Sequence, residues 1–207
     1  MDLAEFEKFP LMGILRGVTD DMLQPLIETV ISSGLKTLEI TMNTDGAQRL
    51  IRKARQVAGE RLAVGAGTVL SRDELQAALD AGASFIVMPA LMPDIVSYCV
   101  QKRVPVFPGA LTPREVYEAW KAGATMVKVF PAKMFGPGYI RELKGPFRDI
   151  KLLACGGVNT STIKSFFESG ASAVAFGSGI FKRELLAGRD YVQIGRSIKA
   201  LIAAMES

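Results

Sequence analysis

The chain predicts an α/β fold: eight parallel strands alternating with helices and closing into a (β/α)8 barrel, with residues 1–207 as a single domain. Three observations carry this. Eight short apolar runs recur along the chain: LMGILRG (11–17), KTLEITM (36–42), RLAVGAGT (61–68), SFIVMPA (84–90), VPVFPGA (104–110), TMVKVFPA (125–132), IKLLACGG (150–157) and SAVAFGSG (172–179). They are near-continuously apolar, as strands covered on both faces must be. Amphipathic stretches lie between them. Those stretches also end alike, in SG or AG at Gly34, Gly82, Gly123 and Gly170, a weak internal repeat of stacked βαβ units. A chain of 207 residues is compact for such a barrel, the TIM barrel, which usually has ~250. A doubly wound open sheet is the competing arrangement. GAGTVL has no third glycine in register, so a dinucleotide fingerprint is absent.

The elements follow in order. The segment before the first strand, MDLAEFEKFP, predicts a short N-terminal helix closing the barrel bottom. DDMLQPLIETVISSG places Met22, Leu23, Leu26, Ile27 and Val30 on one helical stripe. SRDELQAALDAG offers Ser71 as N-cap with Glu74 as its capping-box partner. Pro89, Pro108 and Pro131 are read as following the fourth, fifth and sixth strands, where each limits backbone freedom. TPREVYEAWKAG has Thr112 as cap, Pro113 at the first helical position and Glu115 two residues later. NTSTIKSFFESG would be capped by Asn159 or Thr160, and Asp190–Ser207 reads as the final helix. Phe107 and Phe176 are assigned to the core.

Composition excludes several function classes. Hydrophobic residues make up 49% and charged residues 22%, which fits a soluble globular protein. The net charge of +4 is dispersed, with no basic run, so no nucleic-acid partner is expected. There is no histidine, which rules out a His-containing zinc site or triad and leaves acid–base work to carboxylates, Lys, Tyr, Ser/Thr or water. Cys99 and Cys155 form no CxxC pair and read as reduced buried thiols. The start lacks the features of a signal peptide and no run reaches membrane-spanning length, so the expected place is the cytoplasm, with no membrane partner. No acidic cluster has metal-site spacing, so neither a metal nor another cofactor is expected.

In a barrel the functional face is formed by the strand C-termini and the loops that follow them. Charged residues within apolar strands are the informative anomalies there, because burying a charge without a partner is costly. Lys128 stands between Val127 and Val129 in what should be a central strand. A buried amine is pushed toward its neutral form, the nucleophile that attacks a ketone to make an imine. The alternative is a lysine that faces outward and snorkels past a helix. Glu39 interrupts KTLEITM, a strand of the same alternate set as that of Lys128. The two could meet inside the barrel as an amine and a proton-shuttling carboxylate, or as a structural ion pair.

Arg16 closes the first strand, where a guanidinium suits bidentate capture of a carboxylate, unless it is an ordinary surface arginine. Thr68 ends GAGT and could hold a carboxylate or keto oxygen; Gly65 and Gly67 permit close approach, and helix capping by Thr68 or Ser71 is the competing use. Pro89 and Phe130 are counted with Arg16 and Thr68 around the carboxylate and keto end, Phe130 either walling the pocket or filling core. Gly156, Gly157, Gly177 and Ser178, at the ends of the seventh and eighth strands, form the usual barrel phosphate site, or simple turns.

These residues sit in segments that resemble one family. ILRG, LEIT, VGAGTVL, PGALTPRE, KVFPA, FGPGYIRELKGPF, GGVN and the late GSG occur in order over nearly the whole chain. Together they resemble the bacterial class I aldolases for 2-keto-3-deoxy-6-phosphogluconate, 2-keto-3-deoxy-6-phosphogalactonate and 4-hydroxy-2-oxoglutarate. The resemblance implies a homotrimer of barrels, a Schiff-base lysine at Lys128, a general acid/base at Glu39, and phosphate contacts at Gly156–Gly157 and Gly177–Ser178. Two departures stand out. The phosphogluconate type carries an arginine where this chain has Asn43, so it is similar rather to the phosphogalactonate type, with Arg16 replacing the missing guanidinium. Cys155 stands where many phosphogluconate enzymes have a threonine.

The expected reaction is cleavage of a 2-keto acid at C3–C4 through an imine on Lys128. It would release pyruvate with glyceraldehyde 3-phosphate, or with glyoxylate from 4-hydroxy-2-oxoglutarate. The competing readings are another phosphate-binding barrel enzyme, an isomerase or decarboxylase, and a non-catalytic sugar-phosphate-binding barrel.

Overall fold

The computed structural model describes residues 1–206. Its strands are β1 (Leu11–Leu15), β2 (Thr37–Thr41), β3 (Ala63–Gly67), β4 (Ile86–Val87), β5 (Val106–Phe107), β6 (Gly109–Ala110), β7 (Val127–Val129), β8 (Leu152–Cys155) and β9 (Ala173–Phe176). Between and around them lie α1 (Leu3–Lys8), α2 (Asp20–Ser32), α3 (Ala47–Ala58), α4 (Arg72–Asp80), α5 (Pro93–Gln101), α6 (Pro113–Lys121), α7 (Pro137–Lys144), α8 (Ile163–Glu168), α9 (Arg183–Ala187) and α10 (Tyr191–Glu206).

All paired strands are parallel and belong to one sheet, in the order β5-β4-β3-β2-β1-β9-β8-β7-β6. The two ends of that order, β5 and β6, are neighbours in the chain with only Pro108 between them. The sheet therefore curls into a nearly closed barrel whose seam is the chain itself. Phe107 O accepts from Met88 N at 3.1 Å on one side, and Pro108 O accepts from Lys128 N at 2.8 Å on the other. Pro108 follows β5, as expected, and pairing resumes directly after it in β6. A proline has no N–H to give to a ladder, so the run splits in two. Regular pairing is also shorter than the apolar runs suggest, down to the two residues of β4.

Two apolar layers follow from the period of two. Leu38, Ile40, Val127 and Val129 join helix residues such as Leu26, Ile27, Ile95 and Ile198 in the layer between sheet and helices. Met12, Phe85, Val87, Phe107, Met126, Leu153 and Cys155 fill the barrel interior. Residues that alternate with the first group must face inward, which sends Glu39 and Lys128 into the barrel. Phe6 of α1 enters the base, its ring edge-on to Phe107 at 5.8 Å, so this helix plugs the amino-terminal end.

The helix ends show where local chemistry was sufficient. Gly34, Gly82, Gly123 and Gly170 all adopt positive φ, between +89° and +98°, as left-handed C-caps. Thr112 and Glu115 make the full capping box at α6. At α4, Ser71 Oγ accepts from Glu74 N at 3.1 Å, but the Glu74 carboxylate takes the Leu70 N–H at 2.6 Å. The cap expected at Asn159 or Thr160 is instead Thr162. The Asn159 side chain is engaged by Ser161 N at 2.9 Å and Ser161 Oγ at 2.6 Å, which makes a turn before the helix starts. The last helix begins at Tyr191, with Gln193 N bonded to the Asp190 side chain, and Ser207 of the expected final helix lies outside the described residues.

Candidate active site

Glu39 and Lys128 are the two charged side chains among the described residues that are buried, at 1% and 5% exposure. Both lie in the barrel interior, on β2 and β7. Lys128 is in register with Gly109 on one side and Leu153 on the other. Glu39 is in register with Ile14 and Gly65. Its carboxylate leans over Gly67, where an added Cβ would fall 2.3 Å from Oε1. Only glycine leaves room there for the Glu39 head group.

The two meet electrostatically but not as the ion pair that was one expectation. Burial raises the Glu39 pKa, and the charges of Lys128 and then Arg16 pull it back down. Glu39 Oε2 is buried without a hydrogen-bond partner. A carboxyl in that setting holds a proton more readily than a surface one and can give it up when a charge develops nearby. The Lys128 amine lies 5.2 Å from the ring centre of Phe130. Phe130 is 38% exposed, so it stands at the mouth and does not fill the core. Burial also pushes up the Cys155 thiol, against an opposing pull from the Lys128 charge.

Arg16 is exposed just beyond β1 and donates from Nη2 to Thr68 Oγ1 at 3.2 Å. Thr68 is half-buried and has a φ of +56°. A β-branched residue is rarely found there and costs of order 1–3 kcal/mol, a strain typical of functional turns. Its hydroxyl is thus held beside the guanidinium. Helix capping is not its use, since Ser71 caps α4. Pro89 adjoins Gly109, where an added Cβ would sit 2.2 Å from the Pro89 carbonyl. Through Gly109 it borders the strand position of Lys128.

Gly156 and Gly157 turn the chain after β8 with φ of +100° and +78°. Gly177 and Ser178 follow β9 on the same face of the barrel. Gly177 packs by Ile14 of β1, which brings its turn to the strand that leads to Arg16.

Sequence reasoning missed two features. Lys133 is exposed and packs against the glycine turn: a Cβ on Gly157 would lie 2.8 Å from its own Cβ. Only the barrel brings it there, so no local pattern could signal it. Thr44 is buried in the middle of the β2–α3 connection; a Thr three residues after Thr41 was the available signal. A cavity of about 820 Å³ lies at the opposite mouth, lined by residues such as Phe6, Lys36 and Arg55, and touches none of the site residues above.

Known proteins are similar to this chain over nearly its whole length. The family model described as KDPG and KHG aldolase matches residues 4–197. A 2-dehydro-3-deoxy-6-phosphogalactonate aldolase of Escherichia coli is 31% identical over 200 residues, 96% of this chain and 98% of that one. A 2-dehydro-3-deoxy-phosphogluconate aldolase of Haemophilus influenzae is 32% identical over 201 residues, 97% of this chain and 93% of its own. Among solved structures, a native KDPGal structure has a TM-score of 0.89 at 30% identity, over 95% of this chain and 94% of the other.

Proposed function

From the premise that the chain belongs to the KDPG and KHG aldolase family and is an aldolase, a carbon–carbon lyase, we propose that Lys128 forms the imine and Glu39 moves the protons. The substrate is a 2-keto-3-deoxy-6-phospho sugar acid of the gluconate or galactonate series, cleaved to pyruvate and glyceraldehyde 3-phosphate. 4-Hydroxy-2-oxoglutarate, cleaved to pyruvate and glyoxylate, is a second substrate. The single observation that carries the residue roles is that one amine and one carboxyl are the buried charged groups, both facing one apolar interior.

The Lys128 amine adds to C2 of the keto acid, and Glu39 supplies the proton with which the carbinolamine loses water. The protonated imine then takes up the electrons of the C3–C4 bond while the C4 hydroxyl loses its proton and becomes the aldehyde. Protonation of the enamine at C3 gives the pyruvate imine, and water releases it from Lys128. The imine is itself the electron sink, so no cofactor is needed. Arg16 and Thr68, already bonded to each other, hold the substrate carboxylate, with Pro89 and Phe130 walling the keto end. Gly156, Gly157, Gly177 and Ser178 hold the phosphate through their backbone amides.

Counting β5 and β6 as one strand broken at Pro108 makes the barrel a (β/α)8 unit, with α1 as its base. We read it as one domain, working in the cytoplasm as a homotrimer. Borohydride reduction with pyruvate, followed by peptide mapping, tests the chemistry. A reduced pyruvyl adduct on Lys128, lost in Lys128→Ala together with cleavage, is the expected result. An adduct elsewhere, or cleavage at near wild-type rate in Lys128→Ala, overturns the assignment.

A further inference from the structure

We propose that Thr44 is a positioning residue that aims Arg16 at the substrate carboxylate, through a buried hydroxyl pair with Thr41. The proposal rests on the reading of Arg16 as the carboxylate ligand. Gly17, directly after Arg16, turns the chain with a φ of +66°. Its N–H donates to Thr44 Oγ1 at 3.1 Å. Thr44 Oγ1 is in turn hydrogen-bonded to Thr41 Oγ1 at 3.0 Å, with either hydroxyl able to donate. Thr41 and Thr44 are 0% and 5% exposed, so these groups have no ready exchange with water. The connection is closed by Thr44 N donating to Thr41 O at 2.9 Å.

The consequence concerns Arg16. It stands on an exposed turn, and its backbone is tied to β2 through Gly17 and Thr44. Its tip is tied to the end of β3 through Thr68 Oγ1 at 3.2 Å. Thr41 is in register with Gly67, the residue before Thr68, so both ties end on adjacent strands at one level. A flexible arginine held at both ends meets the carboxylate in a set orientation, with less freedom to lose on binding. Without the Thr44 hydroxyl, the Gly17 N–H is left unpaired and the turn is free to swing.

The test is steady-state cleavage of the phosphorylated keto acid by Thr44→Val, Thr44→Ser, Arg16→Ala and the double variant Arg16→Ala/Thr44→Val. Thr44→Val should raise KM by roughly 10-fold with kcat changed by less than about 3-fold, because a carboxylate contact made equally in ground and transition states is weakened. Thr44→Ser, which keeps the hydroxyl, should restore KM to near wild type. The double variant should match Arg16→Ala alone, since Thr44 acts only through Arg16. If Arg16→Ala raises KM but Thr44→Val does not, or if the two effects add, the positioning role is overturned and the carboxylate reading stands. An unchanged KM in Arg16→Ala overturns the carboxylate reading itself, and the proposal with it. Should Thr44→Val fail to fold, Thr44→Ala compared with Thr44→Ser decides the matter by the same criterion.

Discussion

Glu39, proposed above as the acid/base, occupies a position that works against stability. Its carboxyl is buried, with Oε2 unpartnered, and burial raises its pKa despite the charges of Lys128 and Arg16. A native pKa above the unfolded one means the folded state binds the proton more tightly. The associated stability is present at pH below the unfolded value and is lost as pH rises through the raised folded value. Glu39→Gln removes this titration and keeps the shape. We expect it to lose roughly 100-fold or more in kcat, the scale of a general acid/base. We also expect its melting temperature to exceed that of wild type at neutral and alkaline pH. The amide carries no charge to bury, and each kcal/mol so gained moves Tm by about 2–4 °C in a chain of this size. Thermal melts across a pH series should show the gap opening as pH rises; a constant or closing gap would contradict the raised pKa.

At the scale of elements, the helix that follows β6 carries the best-defined local signal. Thr112 Oγ1 accepts from Glu115 N at 3.3 Å, and the Glu115 carboxylate accepts from Thr112 N at 2.7 Å and Leu111 N at 2.9 Å. Those backbone bonds hold the Glu115 pKa below the usual carboxylate value. Thr112→Ala should destabilise by about 1 kcal/mol, read as a Tm lower by about 2–4 °C, with catalysis unaffected. This element was legible in TPRE because a capping box spans four residues. The α8 start was not: Asn159 and Thr160 were the expected caps, and Thr162 takes the position. The Thr162 hydroxyl donates to Gly157 O at 2.8 Å, a bond that depends on how the glycine turn folds. The second short strand after Pro108, β6, was not legible either. A proline at the end of an apolar run signals an interrupted ladder, not on which side pairing resumes.

At the scale of the molecule, barrel closure sets the reactivity of the thiols. Cys155 faces the interior beside Lys128 and its pKa is raised by burial; Cys99 is on the buried face of α5, and burial pushes it up to about 11. Both should remain unreactive toward a thiol reagent at neutral pH in the folded protein and react together on unfolding. Labelling across a denaturant titration should follow the loss of secondary structure; labelling of Cys155 ahead of it would show that the barrel interior opens separately. By itself, the sequence determined whatever depends on neighbours a few positions apart. The alternation that turns Lys128 and Glu39 away from Val127, Val129, Leu38 and Ile40 is of this kind, as are the glycine caps and the Thr112 box. The tertiary structure decided what lies across the barrel. It kept Glu39 out of a direct ion pair with Lys128, joined Arg16 to Thr68 over 52 positions and Gly17 to Thr44 over 27, and laid Lys133 against Gly157. Such distances depend on strand register and barrel closure, which sum weak contacts over the whole sheet and leave no mark in any short stretch of chain.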